Sequence, residues 1–215
     1  IINSKYDWST GAWQQMFKVR PQWRREAVAD LNFELPAYVH DRQDAIRGTY
    51  EFKDFLEEFL RNLPPEVDPR EAYPDGITVC APIETWSDDF SVAISGVPSL
   101  VNDFSGGSFM ETHYHSQFDN DDFYDEKVYR FHHQLYGLLL MELDQAAVAP
   151  VNPAEIFRQL RRSIRPVTGE EDETAIRSLL LRLTEAEELG DRLYRRVRER
   201  NRAGQADSAL QRGLL

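Results

Sequence analysis

A single cysteine, Cys80, excludes an intrachain disulfide and a cysteine-ligated metal cluster, so an oxidising compartment is neither required nor excluded. No apolar run approaches the roughly 18 residues that a membrane span needs. The N-terminus also lacks a signal-peptide pattern, and the chain reads as soluble. Cationic charge is scarce: 25 Lys and Arg stand against 37 Asp and Glu, for a formal net charge of −12. Affinity for nucleic acid rests on cationic contacts with phosphates, so nucleic acid is a poor partner for such a chain. The deficit is uneven, because residues 153–215 carry 13 Lys and Arg against 11 Asp and Glu, leaving −14 for residues 1–152. No G-x-S-x-G elbow occurs, Gly106-Gly107 has no phosphate-loop companions, and internal repeats and low-complexity tracts are absent.

What is present suffices for a real core, since 41% of the 215 residues are hydrophobic and 12% aromatic. Thr10 or Ser9 can cap a short helix through Phe17. Ala27 to Leu35 is mostly apolar and reads as a buried strand ending before Pro36, and residues 37–48 read as polar and irregular. From Tyr50 to Leu63, Phe52, Phe55, Leu56, Phe59, Leu60 and Leu63 recur at helical spacing until Pro64-Pro65 stops them. A short strand at Ile77 to Ala81, a helix from Asp88 to about Ser95 capped by Ser87, and a strand at Val97 to Val101 complete a β-α-β rhythm that favours a layered α/β domain. A long helix is expected from Phe123 to about Ala146 and another from Pro153 to about Ile164. The last runs from about Asp172 to Arg202, with Ile176, Leu179, Leu183, Ala186, Leu193 and Val197 forming a near-heptad packing seam. The Arg-rich stretch Arg192 to Arg202 reads as a solvated face.

The chemistry-bearing segment is Thr112-His113-Tyr114-His115-Ser116-Gln117-Phe118-Asp119, in a loop after an apolar strand, where open α/β enzymes keep their ligands. His113 and His115 stand two apart and share a direction in extended backbone. His132 and His133 point about 100° apart on a helix, so one is expected to pack and the other to be wet. The acidic run Asp119, Asp121, Asp122, Asp125, Glu126 fails the calcium-loop pattern and reads as favourable charge at the start of the next helix.

Asp88-Asp89-Phe90, then Gly96-Val97-Pro98-Ser99-Leu100, then Tyr114-His115-Ser116-x-Phe118-Asp119 resemble, in order and approximate separation, the end of the catalytic domain in the zinc aminopeptidase, glutamate carboxypeptidase and transferrin receptor family. That resemblance implies that His115 is a zinc ligand and Tyr114 the hydroxyl that steadies the tetrahedral intermediate, with His113 a bystander. Leu31-Asn32-Phe33-Glu34 is similar to the family's strand end before an acidic ligand, usually Asp. Glu34 is the implied metal ligand, and Asp30 the fallback should the register differ. Asp88 and Asp89 fall where relatives shape the substrate pocket. Ile1-Ile2-Asn3-Ser4 with Asp7-Trp8 resembles the segment that follows the family's catalytic Glu-Glu pair, so the general base and the other ligands are expected before residue 1.

The fold implied is α/β: residues 1–150 as the C-terminal portion of a three-layer αβα zinc-exopeptidase-like domain, and residues 151–215 as a helical dimerisation-like region. The activity implied is hydrolysis of a peptide substrate by a metallopeptidase with two Zn ions per full-length chain, working as a homodimer and silent in this portion alone. A non-catalytic, receptor-like or scaffold relative is the alternative, favoured by Glu34 standing where the family usually has Asp.

Overall fold

Alternation along the strands sorts their residues onto two faces of one mixed sheet. The computed structural model describes residues 10–39, 41–102, 109–165 and 170–214. Its strands are β1 (Asp30–Asn32), β2 (Asp44–Gly48), β3 (Ile77–Cys80) and β4 (Ser99–Asn102), in the order β1-β4-β2-β3. β1 runs parallel to β4 and β2 to β3, while β2 and β4 are antiparallel. The register sets Leu31 beside Leu100 and Ile46 beside Val79. These side chains meet one large core together with Phe55 and Leu56 of α3 (Lys53–Arg61) and Val128, Phe131, Leu135 and Leu139 of α6 (Glu126–Gln145).

The opposite face is more polar. Asp30, Asn32, Ser99 and Arg47 alternate onto it, and α4 (Asp88–Ala93) packs there against β1 and β4. Farther out, α1 (Thr10–Gln14, continued as a π-turn through Val19) packs on α4, and α2 (Trp23–Glu26) leads into β1. A short α5 (Phe109–Thr112) precedes the His-Tyr-His loop.

Several expected boundaries move for physical reasons. The strand read over Ala27–Leu35 shrinks to Asp30–Asn32, because Leu35 takes a left-handed conformation with φ 41° and turns the chain away. β2 lies inside the segment read as irregular, since Asp-Ala-Ile-Arg-Gly shows little apolar alternation. α6 starts at Glu126, where Asp125 accepts the Lys127 and Val128 N–H groups at 2.8 and 3.0 Å, so the acidic run does supply the N-cap. Ser87 sits at the N-cap of α4 but turns its hydroxyl to the Asp89 carboxylate instead of a backbone N–H.

In the helical region, α7 (Ala154–Ser163) lies against α8 (Glu170–Arg202), and α9 (Ser208–Leu214) follows. The buried stripe of α8 is Leu183, Glu187, Gly190, Tyr194 and Val197, a four-three alternation that overlaps the expected seam only at Leu183 and Val197. Gly190 is required by close approach: a Cβ there would stand 2.6 Å from the Ala154 backbone nitrogen. Arg158–Asp191 and Arg161–Glu187 ion pairs at 2.5 Å lock the two helices. The stripe continues onto the α/β layer, where Asn201 brackets the Val148 backbone and Arg198 reaches Glu58 at 2.7 Å. Among the described residues no helix is long and apolar enough to cross a membrane.

Candidate functional site

The two parallel neighbours β1 and β4 end side by side, and the candidate residues follow them. Glu34 stands two residues past β1, and Tyr114 and His115 follow β4 through α5. Ligands in open α/β sheets collect at such carboxyl ends. Asp30 instead pairs in register with Ser99 at the amino ends of the same strands, which removes it from this corner.

Glu34 is held by its backbone. Its N–H donates to Asn102 Oδ1 at 3.0 Å, and Asn102 Nδ2 donates back to the Glu34 carbonyl at 2.5 Å. Asn102 is 1% exposed and was missed by a reading that stopped the strand at Val101. A polar residue closing an apolar strand run was the signal that could have found it. The next residue, Leu35, packs with Tyr38, Val101, Phe109, Tyr114 and Phe123 in one small cluster. The loop after β1 and the loop after β4 therefore share a core. They are also stitched by backbone bonds, since Asp125 N–H donates to the Ala37 carbonyl at 2.9 Å and Tyr38 bridges to Tyr124.

The His-Tyr-His segment is a tight turn. The His113 carbonyl accepts Ser116 N–H at 3.0 Å and the Ser116 hydroxyl at 2.7 Å, which leaves Tyr114 and His115 at the apex. His115 has φ 58° at a position where turns call for glycine or asparagine. Its exposed ring stacks on Tyr114 with centroids 3.7 Å apart. Tyr114 leans on Phe109 at 6.0 Å. His113 turns the other way, stacked on Phe109 and edge-on to Phe123 at 4.7 Å, with Nδ1 2.6 Å from the Thr112 hydroxyl. It acts as a packed loop histidine. Leu35 and His115 are the only non-glycine residues with positive φ among those described, and they flank the two halves of the corner.

The substrate-pocket reading of Asp89 does not survive. Asp89, in the first turn of α4, is 1% exposed, and its Oδ1 accepts the Ser87 hydroxyl and, at 3.0 Å, the Asn32 amide. Burial raises its carboxyl above the ordinary range, against the pull of those two donors. Asp88 is half-buried with Oδ1 enclosed, so it too belongs to the layer between α4 and β1. Asp30 completes this layer; burial first and the neighbouring Asp89 second push its carboxyl up to about 7.

Among the described residues no three His, Cys, Asp or Glu side chains converge on a point that would hold a metal ion. Glu34 and His115 offer two donors, too few for a closed zinc site. The chain matches no protein-family model, no curated protein and no solved structure.

Proposed function

We propose that the chain contributes the Glu34 and Tyr114–His115 corner of a co-catalytic zinc exopeptidase site, of aminopeptidase or carboxypeptidase type, within a three-layer αβα domain. One observation carries this reading. Both segments leave the carboxyl ends of adjacent parallel strands, and each is bent by a bulky residue in the left-handed region, a conformation with a cost of about 1–3 kcal/mol that clusters at functional sites. Glu34 and His115 would be the metal donors of this corner, and the Tyr114 hydroxyl a hydrogen-bond donor to negative charge on a peptide substrate. Two donors do not make the site, so the remaining ligands and a general base would come from sequence outside the described residues. Exposed Ile156, Leu160, Leu179 and Leu189 on α7 and α8 support self-association as a homodimer through the helical region.

The test is zinc content and exopeptidase activity of the full-length protein. About two zinc ions per chain are expected from a two-metal site, with a loss of zinc and of activity in His115→Ala. Wild-type activity in His115→Ala refutes the assignment. A second reading, a metal-free scaffold that keeps the fold, is favoured by Glu34 standing where the zinc exopeptidases it resembles usually carry Asp. It is selected if the full-length protein carries no zinc.

A further inference from the structure

Two side chains one turn apart on α6 grip the backbone on either side of Glu34. Tyr136 donates its hydroxyl to the Asn32 carbonyl at 3.1 Å, two residues before Glu34. His132 Nδ1 lies 2.9 Å from the Pro36 carbonyl, two residues after it. Phe33 fills the space beneath, with its ring 4.6 Å from Tyr136 and edge-on to His133 at 4.9 Å. The other nitrogen of His132, Nε2, lies 2.9 Å from Asp44 Oδ2, and both residues are buried. A carbonyl only accepts, so Nδ1 carries the proton that it donates to Pro36.

We propose that His132 and Tyr136 are positioning residues that fix the Glu34 turn, with Asp44 orienting the His132 ring so that Nδ1–H stays on the Pro36 carbonyl. The turn needs such a grip, because left-handed Leu35 lies inside it and such a conformation persists only where its surroundings over-determine it. Asn102 holds Glu34 from the sheet side, and α6 holds the residues flanking it from the helix side. Burial first and the Asp44 charge second raise Tyr136 well above the ordinary phenol range, so its hydroxyl keeps the proton it donates. That this grip serves a ligand rests on the reading of Glu34 proposed above; the grip itself does not.

Hydrogen exchange of the Glu34 amide, read by NMR without metal, tests it on the full chain. In His132→Ala and in Tyr136→Phe that amide should exchange about 10-fold faster, the factor for one lost hydrogen bond, while amides of the β2–β3 pair stay unchanged. Asp44→Asn should remain close to wild type, because its amide can donate to an unprotonated Nε2 and leave Nδ1–H in place. Imidazole 15N spectra should then show His132 Nδ1 protonated in both wild type and Asp44→Asn. Unchanged Glu34 exchange in both His132→Ala and Tyr136→Phe, or an equal rise across the sheet, overturns the proposal, as does Asp44→Asn behaving like His132→Ala. Tyr136→Phe removes one oxygen and keeps the test open should His132→Ala fail to fold. Zinc titration of the same full-length variants separates the two claims. No zinc on wild type refutes the metal reading while exchange still decides the grip, and undiminished zinc affinity in variants with faster exchange refutes the positioning role.

Discussion

Replacing Asp30 by Asn should flatten much of the pH dependence of stability. Asp30 begins β1 under α4, with Oδ2 enclosed and without a hydrogen-bond partner among the described residues. Burial is the largest cause of its raised value of about 7, Asp89 and then Asp88 add to it, and the Ser99 hydroxyl opposes them. The unfolded chain releases this proton near 3.8 and the folded chain near 7, so between those values the folded state binds more protons. Stability contributed by the neutral carboxyl is therefore full below about pH 4, falls as pH rises, and levels off above about pH 7. The gap between 3.8 and about 7 corresponds to about 4 kcal/mol.

The assay is urea denaturation followed by circular dichroism from pH 4 to pH 8 on wild type and Asp30→Asn. The informative quantity is the change in their stability difference between the two ends of the range, because it cancels any fixed effect of the amide. That difference should shift by about 4 kcal/mol in favour of the variant as pH rises. A residual slope of the same sign persists in the variant from Asp89, whose carboxyl burial also raises. Asp75, lowered by its hydrogen bonds to Arg42, and Asp207, lowered by the Leu210 N–H and Arg196, act with the opposite sign and only at the acid end. A stability difference that stays constant from pH 4 to pH 8 would show that Asp30 ionises freely and that the polar layer under α4 is open to water.

Asn102→Ala removes both bonds that clasp Glu34 and should lower stability by about 1–3 kcal/mol, read as a drop of several degrees in Tm; an unchanged Tm rejects the clasp. Gly190→Ala and Gly137→Ala should move in opposite directions. The first sets a Cβ 2.6 Å from the Ala154 backbone nitrogen and should cost about 1–3 kcal/mol, whereas the second meets nothing within 4 Å and should gain about 1 kcal/mol of helix propensity. Equal signs in thermal denaturation contradict the close α7–α8 crossing. His115→Gly relieves a left-handed side chain and should raise stability by about 1 kcal/mol while abolishing any zinc-dependent activity; a stability loss means that the His115 ring contributes packing that outweighs its strain.

The long periodic elements were legible because their apolar positions are local facts: Val128, Leu135 and Leu139 recur on α6, and Val97, Leu100 and Val101 make the segment after Gly96 mostly apolar. β2 was not legible. Its inward face carries Ile46 and Asp44, and the buried Asp is met at 2.9 Å by His132, 88 residues later. The same holds for the corner itself. Tyr114 and His115 are adjacent in sequence and could be singled out by type, but the groups that hold Glu34 come from 68 residues away in Asn102 and 104 in the Asn32–Tyr136 bond. The two left-handed residues had no sequence signal at all, since the residue that advertises such a conformation is glycine, and neither Leu35 nor His115 is one. A side chain in that conformation costs about 1–2 kcal/mol, so at Leu35 and His115 the surrounding contacts, and not the residue type, set the backbone.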